Sequence, residues 1–453
     1  MTLTPKHAYF AKKNSVSKEL KNVEGQISIK KKTSNLFGNR VLHTRDGLDL
    51  RSFNSIIFID EKKLTAEVEG LVTYEELVKA TLQKGLVPTI APELKSITVG
   101  GAYAGVGIES STFRYGFMHE TVLETDIITG KGIITCNANE NKDLFFAFPN
   151  SYGTLGYAIR LVIKLIPAKK YVKIERERFD DIDEYTSRMG KLTKQNQPKG
   201  PLDYIDGLIF GEHEMYVIKG TFTDTPKFVS SYTGMDIYYK SVRTKTVDYL
   251  TTFEYIFRYD TDWFWNSKAF GLENKFLRAL VPKNLMRSDV YYKIMRFENK
   301  HKIFNPIKHF FGAKKTEQVS QDAEVVIEKA PEFVRFFLKE ICDDIPLVYA
   351  PAKAYNPKAK FALWPNFGDE IRMNIGFYAP IPTTHPSGYF NRLYDKKVIS
   401  LSAFKMLYSD VYMTSKEFWS MFDKKTYDEV KKKYDPKKQF RDLYEKCTSR
   451  QIK

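Results

Sequence analysis

Thr98-Val-Gly-Gly-Ala-Tyr-Ala-Gly-Val-Gly-Ile-Glu-Ser110 places four glycines, Gly100, Gly101, Gly105 and Gly107, within eight residues. Residues without a Cβ let the backbone approach another group closely or reach φ > 0. Ser96-Ile-Thr-Val99, just before them, reads as a strand. Backbone N–H groups gathered in such a turn cradle a phosphate, so the stretch predicts a phosphate-bearing cofactor. The plain alternative is a glycine-rich core turn with no ligand.

Two phosphate motifs fail here. A P-loop needs GxxxxGK[ST], and no glycine precedes Lys-Ser or Lys-Thr at that spacing. A dinucleotide fingerprint needs strand, GxGxxG and helix, with an acidic residue about 20 positions on. Gly105-Val-Gly107-Ile-Glu-Ser110 comes near it, with Glu124 and Asp126 downstream, but Ser110 stands where the third glycine should be. The residues after it, Ser111-Thr-Phe-Arg-Tyr-Gly116, are poor helix formers.

The surroundings are rich in strand signals. Gln26–Ile29, Ser55–Ile59 and Ala66–Gly70 read as strands. Thr73 and Glu76 form a capping box for a helix Tyr74–Lys84 that stops at Gly85. Leu123–Ile128 and Ile133–Cys136 form a hairpin around Thr129-Gly-Lys-Gly132. A short helix over Asp143–Phe148 leads to Ser151-Tyr-Gly-Thr-Leu-Gly-Tyr157 and a strand Ala158–Leu165, ended by Pro167. Residues 7–22 predict a first helix. Beyond Lys169-Lys170 the pattern becomes α+β, with strands over Leu208–Ile218 and Glu370–Tyr378, a helix over Pro331–Cys342 and a polar loop over Lys314–Gln321. The tail ends in basic helices. These boundaries divide the chain into 1–170, 171–400 and 401–453.

Composition allows two or three such units: 453 residues, 43% hydrophobic and 28% charged. Aromatics at 14%, with 28 Tyr and 33 Phe, suit a large apolar pocket. The net charge is +16, and Gly271–Lys315 carries 11 Lys and Arg against 3 Asp and Glu, interleaved with apolar residues. Such a segment predicts either an anionic membrane surface as partner or a solvated helical face. No zinc-finger or RNP-like motif supports nucleic acid. Cys136, Cys342 and Cys447 show no paired spacing, which predicts no metal site and a reducing compartment. No run approaches the ~18 apolar residues of a membrane span, and the expected location is cytoplasmic or peripheral to the membrane.

Four segments then carry a family resemblance. Ala91-Pro-Glu-Leu94, Thr98-Val-Gly-Gly101, Gly105-Val-Gly-Ile-Glu-Ser-Ser111 and Arg114-Tyr-Gly116 resemble the flavin-binding core of the vanillyl-alcohol-oxidase or PCMH-type FAD domains. Gly153-Thr-Leu-Gly156 is similar to their second flavin-contact turn. Within that superfamily the chain resembles the Δ24-sterol-reductase-like branch. Ile166-Pro-Ala-Lys-Lys-Tyr-Val172 and Phe404-Lys-Met-Leu-Tyr-Ser-Asp-Val-Tyr-Met413, with Glu417–Asp423, carry that likeness. Tyr204–Leu208, Tyr255–Tyr259 and Trp263-Phe-Trp265 match more loosely. The animal enzymes begin with a membrane-spanning segment, whereas this chain starts at the flavin domain.

The resemblance implies an α+β fold: a two-subdomain PCMH-type FAD-binding domain, an α+β substrate (cap) domain and a C-terminal segment returning to the FAD domain. It implies cofactor contacts at Ser34, Asn35, Thr98, Val99, Gly100 and Gly101, and at Gly105, Val106, Gly107, Ile108, Glu109 and Ser110. Further contacts fall at Gly116, Gly153, Gly156 and Ile159. The Lys30–Gly38 turn holds neither His nor Cys, so non-covalent FAD is expected, with NADPH as transient reductant. The expected activity is reduction of a carbon–carbon double bond in a lipid, a sterol Δ24 bond or a methylene or unsaturated fatty acyl chain. An alcohol or hydroxy-acid oxidase or dehydrogenase, and a non-catalytic flavin- or lipid-binding protein, are the alternatives. Reducing an unactivated alkene requires a placed acid in a dry pocket. Glu109, Tyr255, Arg258, Tyr259 and Tyr408 are the candidates, with Lys405 and Tyr412 beside the last. His119, just past the motif, reads as a structural residue. Oligomeric state stays open.

Overall fold

The computed structural model describes residues 4–31, 47–301, 315–365 and 367–448. A helix Pro5–Lys21 opens the chain, capped by Thr4. β1 (Ile29–Lys30) and β2 (Leu48–Asp49) form a short parallel pair. β3 (Ile56–Asp60), β4 (Thr65–Glu69), β5 (Leu86–Pro88), β6 (Val122–Thr129), β7 (Gly132–Asn137) and β8 (Tyr157–Pro167) build an antiparallel sheet. Its order is β3-β4-β8-β6-β7, with β5 also paired to β8. The capping box is present: Glu76 N–H donates to Thr73 Oγ1, and Thr73 N–H donates to Glu76 Oε2.

A second antiparallel sheet follows directly. β9 (Tyr171–Phe179), β10 (Tyr204–Gly211), β11 (Glu214–Thr223), β12 (Val247–Thr251), β13 (Thr316–Val326), β14 (Leu347–Ala352), β15 (Arg372–Pro382) and β16 (Phe404–Lys405) run in the order β12-β9-β11-β10-β14-β15-β13-β16. The chain passes from one sheet to the other across Ala168-Lys169-Lys170. The C-terminal run then returns to the first half. Lys431 Nζ donates to Thr154 O at 2.9 Å, and Ile27 N–H donates to Gln439 O at 2.8 Å.

Three local expectations change. Ser96–Val99 is not a strand: Thr98 caps a short helix, Val99–Gly105. Leu208–Ile218 is not one strand but the end of β10 and the start of β11, joined by a hairpin turn at Glu212-His213. Thr316–Gln321, read as part of a polar loop, is the first half of β13, in which Glu317, Ser320 and Gln321 are buried. A second core cluster, rich in tyrosine, lies against the β9–β12 half of the second sheet, where Tyr204, Tyr232, Tyr238 and Trp263 pack together.

Candidate functional site

A cavity of about 780 Å³ separates the two sheets. One wall is the glycine segment. Thr98 Oγ1 accepts from Gly101 N–H at 3.2 Å and fixes the first turn of the helix. Gly100 lets that helix lie on the sheet: a Cβ there would sit 2.8 Å from Gly70 O and 2.9 Å from Ala158 O. Gly101 faces outward and borders the cavity, and a Cβ there would crowd only its own cap, 2.8 Å from Thr98 Oγ1. Tyr152 braces the far end, its hydroxyl donating to Gly105 O at 2.9 Å.

Thr98, Gly100, Gly101, Gly105, Val106 and Gly107 all border this space, as do Ile108, Glu109, Ser110, Gly153 and Ile159. Val99, Gly116 and Gly156 do not. Val99 is core. At Gly116 a Cβ would meet Tyr355 Cβ at 2.6 Å, and at Gly156 it would meet Ile128 O at 2.1 Å, so both glycines serve packing. Ser34 and Asn35 lie outside the described residues. Lys30, Arg51, Arg441 and Lys446 also line the cavity. A bare backbone turn, open space above Gly101 and lining cations fit a pyrophosphate-bearing cofactor.

The opposite wall is the second sheet. Strand alternation sends Asp206 of β10, Val348 and Ala350 of β14, Asp322 of β13, and Asn374 and Tyr378 of β15 into the cavity. Asp322 stands opposite Gly376, where a Cβ would fall 2.2 Å from its Oδ1. Tyr378 donates to Asp322 Oδ2 at 2.7 Å, and Tyr408 donates to the same oxygen. Trp263 and Phe264 hold φ of 44° and 63°, an uncommon backbone for aromatic residues. That bend lays the Phe264 ring on Tyr378, centroids 4.5 Å apart, in the cavity wall.

Four carboxyls therefore meet at the cavity: Glu93 and Glu109 from the glycine wall, Asp206 and Asp322 from the second sheet. Arg258 lies behind them, 2.7 Å from Glu93 Oε1 and 2.5 Å from Asp206 Oδ2. Burial pushes Glu93 up to about 7 despite Arg258. Burial first, then the Glu93 charge, holds Glu109 well above the ordinary carboxyl range. Burial raises Asp322 to about 6 against the hydrogen bonds from Tyr408 and Tyr378. One guanidinium cannot balance four buried carboxylates, so the cluster retains protons at neutral pH.

Of the proposed side chains, Glu109 and Tyr408 border the cavity and Tyr255, Arg258 and Tyr259 do not. Tyr255, Tyr259 and Tyr238 instead surround the Arg258 guanidinium, ring centroids 4.4, 4.9 and 5.6 Å away. Lys405 is buried in an ion pair with Asp395 at 2.5 Å, off the cavity, and Tyr412 is likewise off it. His119 is packed among Phe117, Phe361 and Trp364, and burial lowers its pKa to about 3. Glu93, Asp206, Asp322 and Tyr378 escaped sequence reasoning. Glu93 and Asp206 sit inside segments that carry the resemblance, but nothing in the one-dimensional pattern brings them together. No group of His, Cys, Asp and Glu suited to a metal occurs among the described residues.

The comparisons with known proteins bear directly on this cavity. Residues 15–137 match the family described as FAD binding domain, which contains the whole glycine wall up to Ser110. The Delta(24)-sterol reductase of Homo sapiens is 28% identical over 413 residues, 86% of this chain and 75% of that protein. The chain resembles the Delta(24)-sterol reductases. That of Pisum sativum is 26% identical over 444 residues, covering 88% of this chain and 76% of the pea protein. A shorter match, 32% identical over 169 residues, joins 37% of this chain to 31% of cytokinin dehydrogenase 7 of Oryza sativa subsp. japonica. This sterol-reductase-like chain is thus an FAD-linked oxidoreductase with a PCMH-type FAD-binding domain. Among its described residues no helix is long and apolar enough to cross a membrane.

Proposed function

We propose that the protein reduces a carbon–carbon double bond of a lipid, a sterol Δ24 bond or a methylene or unsaturated fatty acyl chain, using NADPH. In this reading residues 1–170 form the FAD-binding unit, 171–400 cover the substrate, and 401–453 return to close the first unit. Gly101, Gly105, Gly107 and Gly153 line the cofactor's path, and the lining cations Lys30, Arg51, Arg441 and Lys446 offset its phosphate charge. FAD is held without a covalent bond. When bound and reduced it supplies the hydride.

The chain's own work is to bind the lipid in a water-poor cavity and hold a proton beside it. Glu109 is placed for that proton. Its carboxyl faces the cavity, and burial and the neighbouring Glu93 keep it protonated at neutral pH. Arg258 acts through Glu93 and Asp206 and is a positioning residue. Tyr408 and Tyr378 orient Asp322 on the other side. The observation that carries the reading is this proton-retaining carboxyl cluster facing the glycine wall.

The experiment is anaerobic. NADPH should bleach the flavin of the purified protein, and a sterol with a Δ24 bond or an unsaturated acyl lipid should restore its colour. Glu109→Gln should keep the flavin and its bleaching yet slow reoxidation by lipid on the order of 100-fold. If no such lipid restores the colour, the proposal falls. A second reading, dehydrogenation of an alcohol or hydroxy acid, is favoured by Asp322 and Glu93, whose values of about 6 and 7 suit a general base. Bleaching by such a substrate, and not by NADPH, would decide for it.

A further inference from the structure

Six of the 15 exposed large hydrophobic side chains among the described residues fall between 276 and 297. Scattered surface apolar residues are ordinary, but a contiguous group marks an interaction site. Phe276 is 73% exposed, Leu280 66% and Phe297 56%. They project from the helices Lys275–Leu280 and Ser288–His301. Met235 joins them: it is exposed, and its neighbour Gly234 accepts from Arg278 Nε at 2.6 Å.

These helices are not loosely attached. Arg278 is buried and pairs with Asp262 at 2.6 Å. Arg287 reaches Glu75 at 2.8 Å, Ser288 donates to Asp260 at 2.6 Å, and Tyr291 donates to Thr261 O at 2.9 Å. The inward face is thus fully committed to the body, and the outward face is apolar because the helices are held that way round.

The charge of this face selects its partner. Asp289 is spent on Arg287 and Lys293, and Glu273 on Lys240. Lys275, Lys283 and Arg296 have no carboxylate partner among the described residues. Arg296 also lines the cavity, so the basic apolar face borders the cavity's rim. Lysine and arginine among exposed Phe and Leu are the composition that seats a helix in the headgroup region of an anionic bilayer.

We propose that this face docks on an anionic membrane surface, with Phe276, Leu280 and Phe297 at the acyl boundary and the cavity opening beside them at Arg296. Resting on the reading that the substrate is a lipid, it gives the route by which that lipid enters without crossing water. The occupant is the bilayer, not a second copy of the chain.

The test uses the flavin-loaded full chain and vesicles that contain no substrate. It should sediment with phosphatidylcholine–phosphatidylserine vesicles, less with phosphatidylcholine alone, and less again as salt rises. The triple variant Phe276→Ser, Leu280→Ser, Phe297→Ser should need about tenfold more lipid or worse for the same binding. Its flavin absorbance and unfolding temperature should match the parent's, and so should its turnover of detergent-dispersed substrate. Absence of vesicle binding by the parent, or equal binding by the triple variant, overturns the proposal. So does a dimer in solution that the triple variant abolishes. Vesicle binding without turnover would leave the docking face standing while the reductase reading falls, and the reverse result would separate them the other way.

Discussion

Gly100 and Gly101 are neighbours with opposite duties. Any side chain at 100 runs into two backbone carbonyls, whereas one at 101 enters the cavity. Gly100→Val should cost about 3 kcal/mol of stability through overpacking. Gly101→Val should fold, with near-parental unfolding temperature, but purify with little flavin. Denaturation curves and flavin content read the two effects separately. Glu324 makes a second case at this scale. It is fully buried, and neither carboxyl oxygen has a hydrogen-bond partner among the described residues. Burial raises it to about 8 in spite of Arg372. The folded chain therefore holds this proton at pH values where the unfolded chain has released it, so stability falls as pH rises from the ordinary glutamate range to about 8. Glu324→Gln should flatten that slope and stabilise the protein by about 2 kcal/mol above it, seen in unfolding free energies measured across pH.

Elements built by local rules were readable in the sequence. The Thr73–Glu76 capping box and the β6–β7 hairpin around Gly130 follow from residues a few positions apart. β13 was not readable, because its signal is inverted. Gln321, Asp322 and Glu324 are polar yet buried, since they face the cavity or the layer behind it. The glycine helix was hidden for a related reason: Gly100 and Gly105 weaken helical propensity in order to meet the sheet and Tyr152. The cofactor wall was legible because it is continuous in sequence. The acid cluster was not, because its members come from positions 93, 109, 206 and 322.

The first helix shows how one element is fastened. Tyr9 and Lys13 both reach Asp126, at 2.5 and 2.7 Å, and Asp126 also accepts from Thr135 at 2.8 Å and Arg160 at 3.1 Å. Asp126→Asn leaves Arg160 and Lys13 short of charge, and should cost about 3 kcal/mol. Hydrogen exchange should show Pro5–Lys21 opening first in that variant, with the second sheet unaffected.

The molecule as a whole is two sheets closed over a cavity, joined by a shared apolar core and by polar contacts across it. Ile205 N–H donates to Ser110 O at 2.8 Å, Lys95 N–H to Asp260 at 2.9 Å, and Arg258 bridges Glu93 to Asp206. Arg258→Met should cost about 3–5 kcal/mol, because it strands two buried carboxyls. Adding Glu93→Gln should recover part of the loss, and a double-mutant cycle by chemical denaturation measures how much. The division into walls also shapes how such a protein changes over generations. Val348, Ala350 and Asn374 line the cavity from the second sheet, so a lineage can alter them and meet a new substrate while inheriting Thr98 and Gly101 intact. Gly376 has no such liberty. With a Cβ there only 2.2 Å from the Asp322 carboxylate, it is held to glycine while Asp322 stays, and descendants that keep the aspartate inherit the glycine with it.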